Sequence, residues 1–256
     1  MTIQVLVAAV QQNVHELAAK MNLETETIII NQDENFSYEE FTHKEILVKA
    51  YTFAERGVGL SRNNALLRAD SDLVLFADED IVLNSGYVDI IRDEFANNPK
   101  ADIIIFNIAI DERRATYKNT TFKRVRWYNY GRYGACGIVA RTNKLHEARV
   151  TFSLLFGGGA LYSNGEDSLF LHDCLKKGLK IYASPRNIGY EEYRDSTWFK
   201  GYNIKFFFDR GVLYRRLYGL MAKPLAYRFL YKNQTEMCRD IPLEMAYFLM
   251  KKGIES

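Results

Sequence analysis

The sequence predicts an α/β fold built on a mainly parallel sheet flanked by helices. Three observations predict it. Apolar runs such as "IQVLVAAV", "LVLFA" and "ADIIIFNIAI" have strand length and little alternation, as strands buried on both faces do. Stretches with helical spacing lie between them. The two kinds alternate about every 20–25 residues, the rhythm of a parallel sheet with crossover helices.

Taken in order, Ile3 to Val10 reads as a strand, and "NVHELAAKMN" as a helix with Val14, Leu17, Ala18 and Met21 on one face. "ETIIINQDEN" gives a second strand over Thr27 to Asn31 that ends in a polar loop, and "EILVKAY" a third. Ser61 is the expected N-cap of a helix through "RNNALLRAD". Leu73 to Ala77 is a buried strand, "SGYVDIIRDEFANNP" a helix that stops before Pro99, and "ADIIIFNIAI" another buried strand. From Asp111 to Arg132 the chain turns basic and aromatic without a helical stripe, which predicts a loop or an edge excursion. "GACGIVA" then reads as a strand, "TNKLHEARV" as a short helix, and "FGGGALYSNGED" as a glycine-rich loop. "SLFLHDCLKKG" is a helix closed by Gly178, and "KIYASP" a short strand. Beyond Tyr190 an irregular segment leads into helix-compatible sequence from Tyr202 to Asn233.

Composition narrows the function. With 34 Lys and Arg against 32 Asp and Glu the net charge is +2, which argues against nucleic acid as a partner of the whole chain. The three cysteines, Cys136, Cys174 and Cys238, have no CxxC spacing, so neither a zinc site nor a disulfide framework is expected, and a reducing cytoplasm is the natural compartment. The opening residues read as a strand rather than a leader, and no run reaches the ~18 apolar residues of a membrane span. The four histidines show no metal spacing.

The chemistry concentrates in two acidic stretches. In "LVLFADEDIVL" a buried strand runs into Asp78, Glu79 and Asp80. Ligands of open α/β sheets bind beyond the carboxyl ends of strands. Residues two apart on an extended chain point the same way, so Asp78 and Asp80 can face one site while Glu79 faces away. Mg²⁺ or Mn²⁺ takes such carboxylates together with phosphate oxygens. A solvated acidic turn explains the triplet alone equally well. The second stretch is "NGED", with Glu166 and Asp167 at a helix start, where acids also serve simply as dipole-favoured caps.

In order, "GVGLSRNNALLRAD", "LVLFADED" and "NGEDSLFLHDCLKKGLKIY" resemble the motifs of the family 2 glycosyltransferases of the GT-A fold, over roughly Ile3 to Ala183. The resemblance implies a GT-A, Rossmann-like catalytic domain over 1–190, with a nucleotide-binding half at 1–110 and an acceptor half at 111–190. A C-terminal helical extension would follow over 191–256. It implies an inverting transfer of a sugar from a nucleotide-diphosphate donor, a UDP-sugar, to a hydroxyl of a glycan acceptor, in capsule, exopolysaccharide or O-antigen synthesis. Asp78 would lie near the ribose, and Asp80, with Asp78, would hold Mn²⁺ or Mg²⁺. Asp167 would be the general base, with Glu166 beside it. Ala9, Gln11, Asp33, Ser61, Arg62 and Glu79 would line the nucleotide-sugar site, with Arg62 on the base edge or a phosphate; "NQDEN" departs from the family's pattern at the acid that reads the base. Arg194 and Trp198 are candidates for the diphosphate and the acceptor sugar, because arginine forks suit phosphate and aromatic faces suit sugar rings. No histidine follows His172 to serve as the metal ligand that many relatives carry.

Between Lys200 and Lys232 eight cations face one acid, Asp209, among many aromatics. Such a segment fits a surface meeting anionic lipid, which would suit a lipid-linked acceptor at the inner face of the plasma membrane; packing on the catalytic domain, or on another chain, explains it as well. Two other functions stay open: a GT-A-like scaffold subunit without turnover, and a sugar nucleotidyltransferase, although "AAVQQNVHELAAK" lacks the glycines that the latter needs.

Overall fold

The computed structural model describes residues 1–110, 117–192 and 201–256. A ten-stranded sheet forms the centre. Its strands are β1 (Ile3–Val10), β2 (Thr27–Gln32), β3 (Ser37–His43), β4 (Ile46–Phe53), β5 (Leu73–Asp78), β6 (Ile81–Leu83), β7 (Ile103–Ala109), β8 (Lys123–Arg124), β9 (Ile138–Arg141) and β10 (Ile181–Glu191). They lie in the order β3-β4-β2-β1-β5-β9-β7-β10-β6, with β8 also on β10. β1 pairs in parallel with β2 and β5, β2 with β4, and β7 with β10. β9 is antiparallel to both β5 and β7, so β7 and β10 run in the direction of β5. Six strands therefore end at the same edge of the sheet.

The helices are α1 (Val14–Lys20), α2 (Val58–Arg68), α3 (Tyr87–Asn97), α4 (Thr142–Ala148), α5 (Glu166–Lys176), α6 (Ile204–Tyr218), α7 (Ala222–Met237) and α8 (Leu243–Glu255). Alternate strand residues feed two cores. Val5, Val7, Leu73 and Leu75 pack with Leu17 of α1 and Tyr87, Ile91 and Phe95 of α3. Leu6, Val74 and Phe76 pack with Leu66 of α2, Leu145 of α4 and Phe170 and Leu171 of α5. Both faces of the central strands are buried, which explains their unbroken apolar runs.

The structure differs from the sequence reading in several places, the short strands β6 and β8 among them. β3 was not expected: nearly all of "SYEEFTH" is exposed on the outer edge, so it carries no apolar signal. α2 begins at Val58 after Gly57, whose φ is 130°; Ser61 is not its N-cap but lies inside the first turns, fully buried, where its hydroxyl donates to Ile30 O at 3.1 Å. "KIYASP" opens an eleven-residue strand, β10, whose pairing with β7 shifts register around Asn187. The helix-compatible tail breaks at Gly219–Met221 and is followed by α8.

The aromatic residues of the tail go chiefly inward. Phe206, Phe207 and Tyr214 of α6 join Leu230 of α7 and Met250 of α8 in a core of their own. Tyr227, Tyr231 and Leu220 stay exposed. No helix among the described residues is long and apolar enough to cross a membrane.

α6 and α8 touch backbone to backbone. A Cβ on Gly211 would stand 2.1 Å from Met250 O, and one on Gly253 2.1 Å from Phe208 O. Gly253→Ala must push the helices apart, at about 1–3 kcal/mol for overpacking. The melting temperature should fall by about 2–4 °C per kcal/mol. An unchanged thermal melt would show that the helices have room to spare.

Candidate active site

Because β1, β2, β5 and β7 share a direction, their carboxyl ends open onto one cleft of about 880 Å³. Ala8 to Gln12 and Gln32 form one end of it, and Asn107, Ile108 and Tyr133 the other. Asp78, Glu79, Asp80, Arg62 and Glu166 lie between.

Arg62 is the hub. Its side chain is almost wholly buried. Nη2 donates to both oxygens of Asp78 at 2.9 and 3.1 Å, while Nη1 donates to Asp167 at 2.9 Å and to Glu166 at 3.3 Å. The guanidinium also lies 5.2 Å from the centre of the Phe152 ring. Burial opposes its charge, but Asp78, Asp167 and Glu166 more than offset this, holding the proton well beyond its ordinary range. Three carboxylates sharing one cation keep a surplus of negative charge. Burial first, then Glu166 and Asp78, push the Asp167 carboxyl up to about 8, against the opposing pull of Arg62 and of the Ala135 N–H. About a quarter of the Asp167 side-chain surface remains open, against 12% for Glu166, so Asp167 is the more approachable of the pair. Burial likewise pushes the Cys136 thiol, on the cleft wall, well up, with Asp78 adding to it.

The expected residues fall into three groups. Asp78, Asp80, Glu79, Ala9, Gln11, Ser61, Arg62 and Glu166 line the cleft, and Asp167 joins it through Arg62. Glu79 reaches across to accept from Val10 N–H, tying the acidic turn to the end of β1. Arg62 is spent on carboxylates instead of reaching a base or phosphate, since both of its terminal nitrogens are engaged. Asp33 lies on a neighbouring depression with Asn13 and Glu39, because its carboxylate turns back to the Glu34 N–H at 2.8 Å. Arg194 and Trp198 lie outside the described residues. No histidine lines the cleft among the described residues.

Four carboxamides bind loop backbone around the strand ends, and two of them, Gln32 and Asn107, line the cleft. Each accepts from the N–H and donates to the C=O of a single loop residue, as a neighbouring strand would. Asn31 holds Gln12 (3.0 and 3.1 Å), Gln32 holds Gly57 (3.1 and 2.9 Å), Asn63 holds Phe152 (2.7 and 2.9 Å) and Asn107 holds Asn119 (2.9 and 3.0 Å). In the sequence Asn31, Gln32 and Asn107 show only as polar residues closing apolar runs, as in "IIINQ" and "IIIFN".

No family model and no curated protein matches the chain. Solved structures do. S. aureus TarS 1–349 in complex with UDP-GlcNAc matches with a TM-score of 0.65 and 15% identity, covering 94% of this chain and 74% of that one. The same protein in complex with UDP gives 0.64 and 15%, over 94% and 74%. TarS 1–349 described without a ligand gives 0.60 and 14%, over 95% and 76%. The chain has the GT-A fold.

The GT-A fold implies a divalent cation at the acidic turn. The oxygen-only donor set fits one. Asp78 is already shared with Arg62, which leaves Asp80 as the carboxylate better placed to hold it. No cluster of three or more His, Cys, Asp or Glu side chains suited to a metal occurs among the described residues, so a cation there would draw its remaining ligands from phosphate or water.

The helical tail also reaches this site. Asp209 of α6, 2% exposed, accepts from Ser163 N–H at 2.9 Å, from the Ser163 hydroxyl at 3.0 Å and from Lys205 Nζ at 2.7 Å. Leu213 fills the space where a Cβ on Gly165 would be. Both contacts fix the chain just before Glu166. Asp209→Ala removes the acceptor of the half-buried Ser163 N–H and hydroxyl and should cost about 1–2 kcal/mol. The thermal melt should show it, and a wild-type melting temperature would mean that the clamp carries no stability.

Proposed function

We propose that the chain is an inverting glycosyltransferase that moves a sugar from a UDP-sugar to a hydroxyl of a glycan acceptor. The observation that carries this is the shared cleft. Asp78 and Asp167, from elements far apart in sequence, meet on one guanidinium beside a hollow large enough for a nucleotide sugar. The GT-A fold and the UDP and UDP-GlcNAc complexes of the TarS structures support the choice of donor.

The nucleoside end of the donor lies along Ala9, Gln11 and Gln32 at the ends of β1 and β2, and the diphosphate reaches the acidic turn. Asp80 would hold Mn²⁺ or Mg²⁺ there, and the ion would supply positive charge to offset that of the departing nucleotide. Asp78, fixed by Arg62, faces the ribose. Asp167 takes the proton of the acceptor hydroxyl as that oxygen attacks the anomeric carbon from the side opposite the diphosphate, and Glu166 raises its proton affinity. Arg62 binds no substrate; it sets the orientation of all three carboxylates.

Two outcomes test the assignment. Asp167→Asn should bind UDP as wild type does and lose about 10²–10⁴-fold in transfer. Because the Asp167 carboxyl sits near 8 and acts as the base only when unprotonated, kcat/KM should rise with pH and level off above about 8. Undiminished transfer by the variant, or a profile flat across that range, removes Asp167 from the reaction. In calorimetry, Asp80→Ala should weaken UDP binding in the presence of Mn²⁺ and leave binding in its absence unchanged. Equal losses in both conditions would speak against a cation at Asp80.

A further inference from the structure

The acceptor end of the cleft carries a charge that the donor does not explain. Between Tyr117 and Tyr133 the sequence has Lys118, Lys123, Arg124, Arg126 and Arg132 and no carboxylate. Arg124 is spent on Tyr182, to whose hydroxyl it donates at 3.3 Å. Lys123 and Arg132 instead frame one ring. Lys123 Nζ lies 4.9 Å and the Arg132 guanidinium carbon 4.5 Å from the centre of Tyr117, and Lys123 also donates to the Tyr117 hydroxyl. Neither cation has a carboxylate partner among the described residues.

This arrangement is anchored. Asn119, 4% exposed, is clamped by Asn107 at the end of β7, and it lies two residues from Tyr117. Tyr117 and Arg132 both line the cleft. Their place in the sheet decides what they meet. In the order β2-β1-β5-β9-β7, the acidic turn after β5 separates the nucleoside end at β1 and β2 from the β7 end. A donor with its diphosphate at the acidic turn points its sugar, and the incoming acceptor, toward Tyr117.

We propose that Lys123 and Arg132, framing Tyr117, form a subsite for an anionic group, a phosphate or a carboxylate, on the acceptor saccharide. The subsite rests on the transferase reading for the word acceptor. The two cations supply charge-assisted hydrogen bonds, and Tyr117, which both of them cover, holds them side by side. An acidic glycan is thereby favoured over a neutral one that offers the same hydroxyl.

The test is NMR titration of the full chain with glucose 6-phosphate, glucuronic acid and glucose at constant ionic strength, alongside UDP with Mn²⁺. At least one acidic sugar should bind about tenfold more tightly than glucose, and the arm that does so identifies phosphate or carboxylate. The double variant K123Q/R132Q should erase that preference while UDP affinity stays within about twofold of wild type. Acidic sugars that bind no better than glucose overturn the proposal. So does a parallel loss of UDP affinity in the double variant, which would hand the cations to the donor. Acidic sugars that bind tightly to a protein that ignores UDP would uphold the anion subsite and overturn the donor reading instead.

Discussion

A buried guanidinium among three carboxylates governs the architecture of the cleft. Taking Arg62 out of water is costly, and it is tolerated because Asp78, Glu166 and Asp167 surround it with hydrogen-bonded charge. The same bonds act in reverse on the acids. Each is held by a side chain that cannot swing away without stranding a charge in the interior. The site is therefore assembled by electrostatic necessity between α2, the end of β5 and the start of α5, three elements that share no local sequence. The residual negative charge is what raises the proton affinity of Asp167.

Much of this was legible in the sequence, and the pattern of what was not follows from the physics. The parallel core declared itself because strands buried on both faces must be apolar at every position. The acidic residues of the site stood out because charge at the end of such a strand has no packing reason to be there. β3 stayed hidden because an exposed edge strand needs no apolar residue, and Ser61 misled because a serine buried on a backbone carbonyl looks like one that caps a helix. The role of Arg62 was out of reach for another reason. Its partners lie 16, 104 and 105 residues away, so only the register of the folded chain reveals them. Asp33 shows the limit of reading by position, since one local hydrogen bond to Glu34 turns it from the cleft.

The helical tail braces the approach to the cleft although none of its residues lines it among those described. Asp209 and Leu213 press on Ser163 and Gly165, immediately ahead of the acids at the start of α5. Much of the aromatic character of the tail is accounted for by the core shared by α6, α7 and α8, while Arg215, Arg216, Arg228 and Lys232 stay exposed. A buried carboxylate in α6 that reads as an isolated acid in a cationic stretch is a clamp on the loop ahead of Glu166.

A ten-stranded sheet has two rims at which another chain could add itself. At one, β3 presents Glu39 and Glu40 on an almost fully exposed strand; at the other, β6 is only three residues long. Acid on the first and brevity on the second leave little template for intermolecular pairing. A partner strand laid along β3 would have to bring cations to meet Glu39 and Glu40.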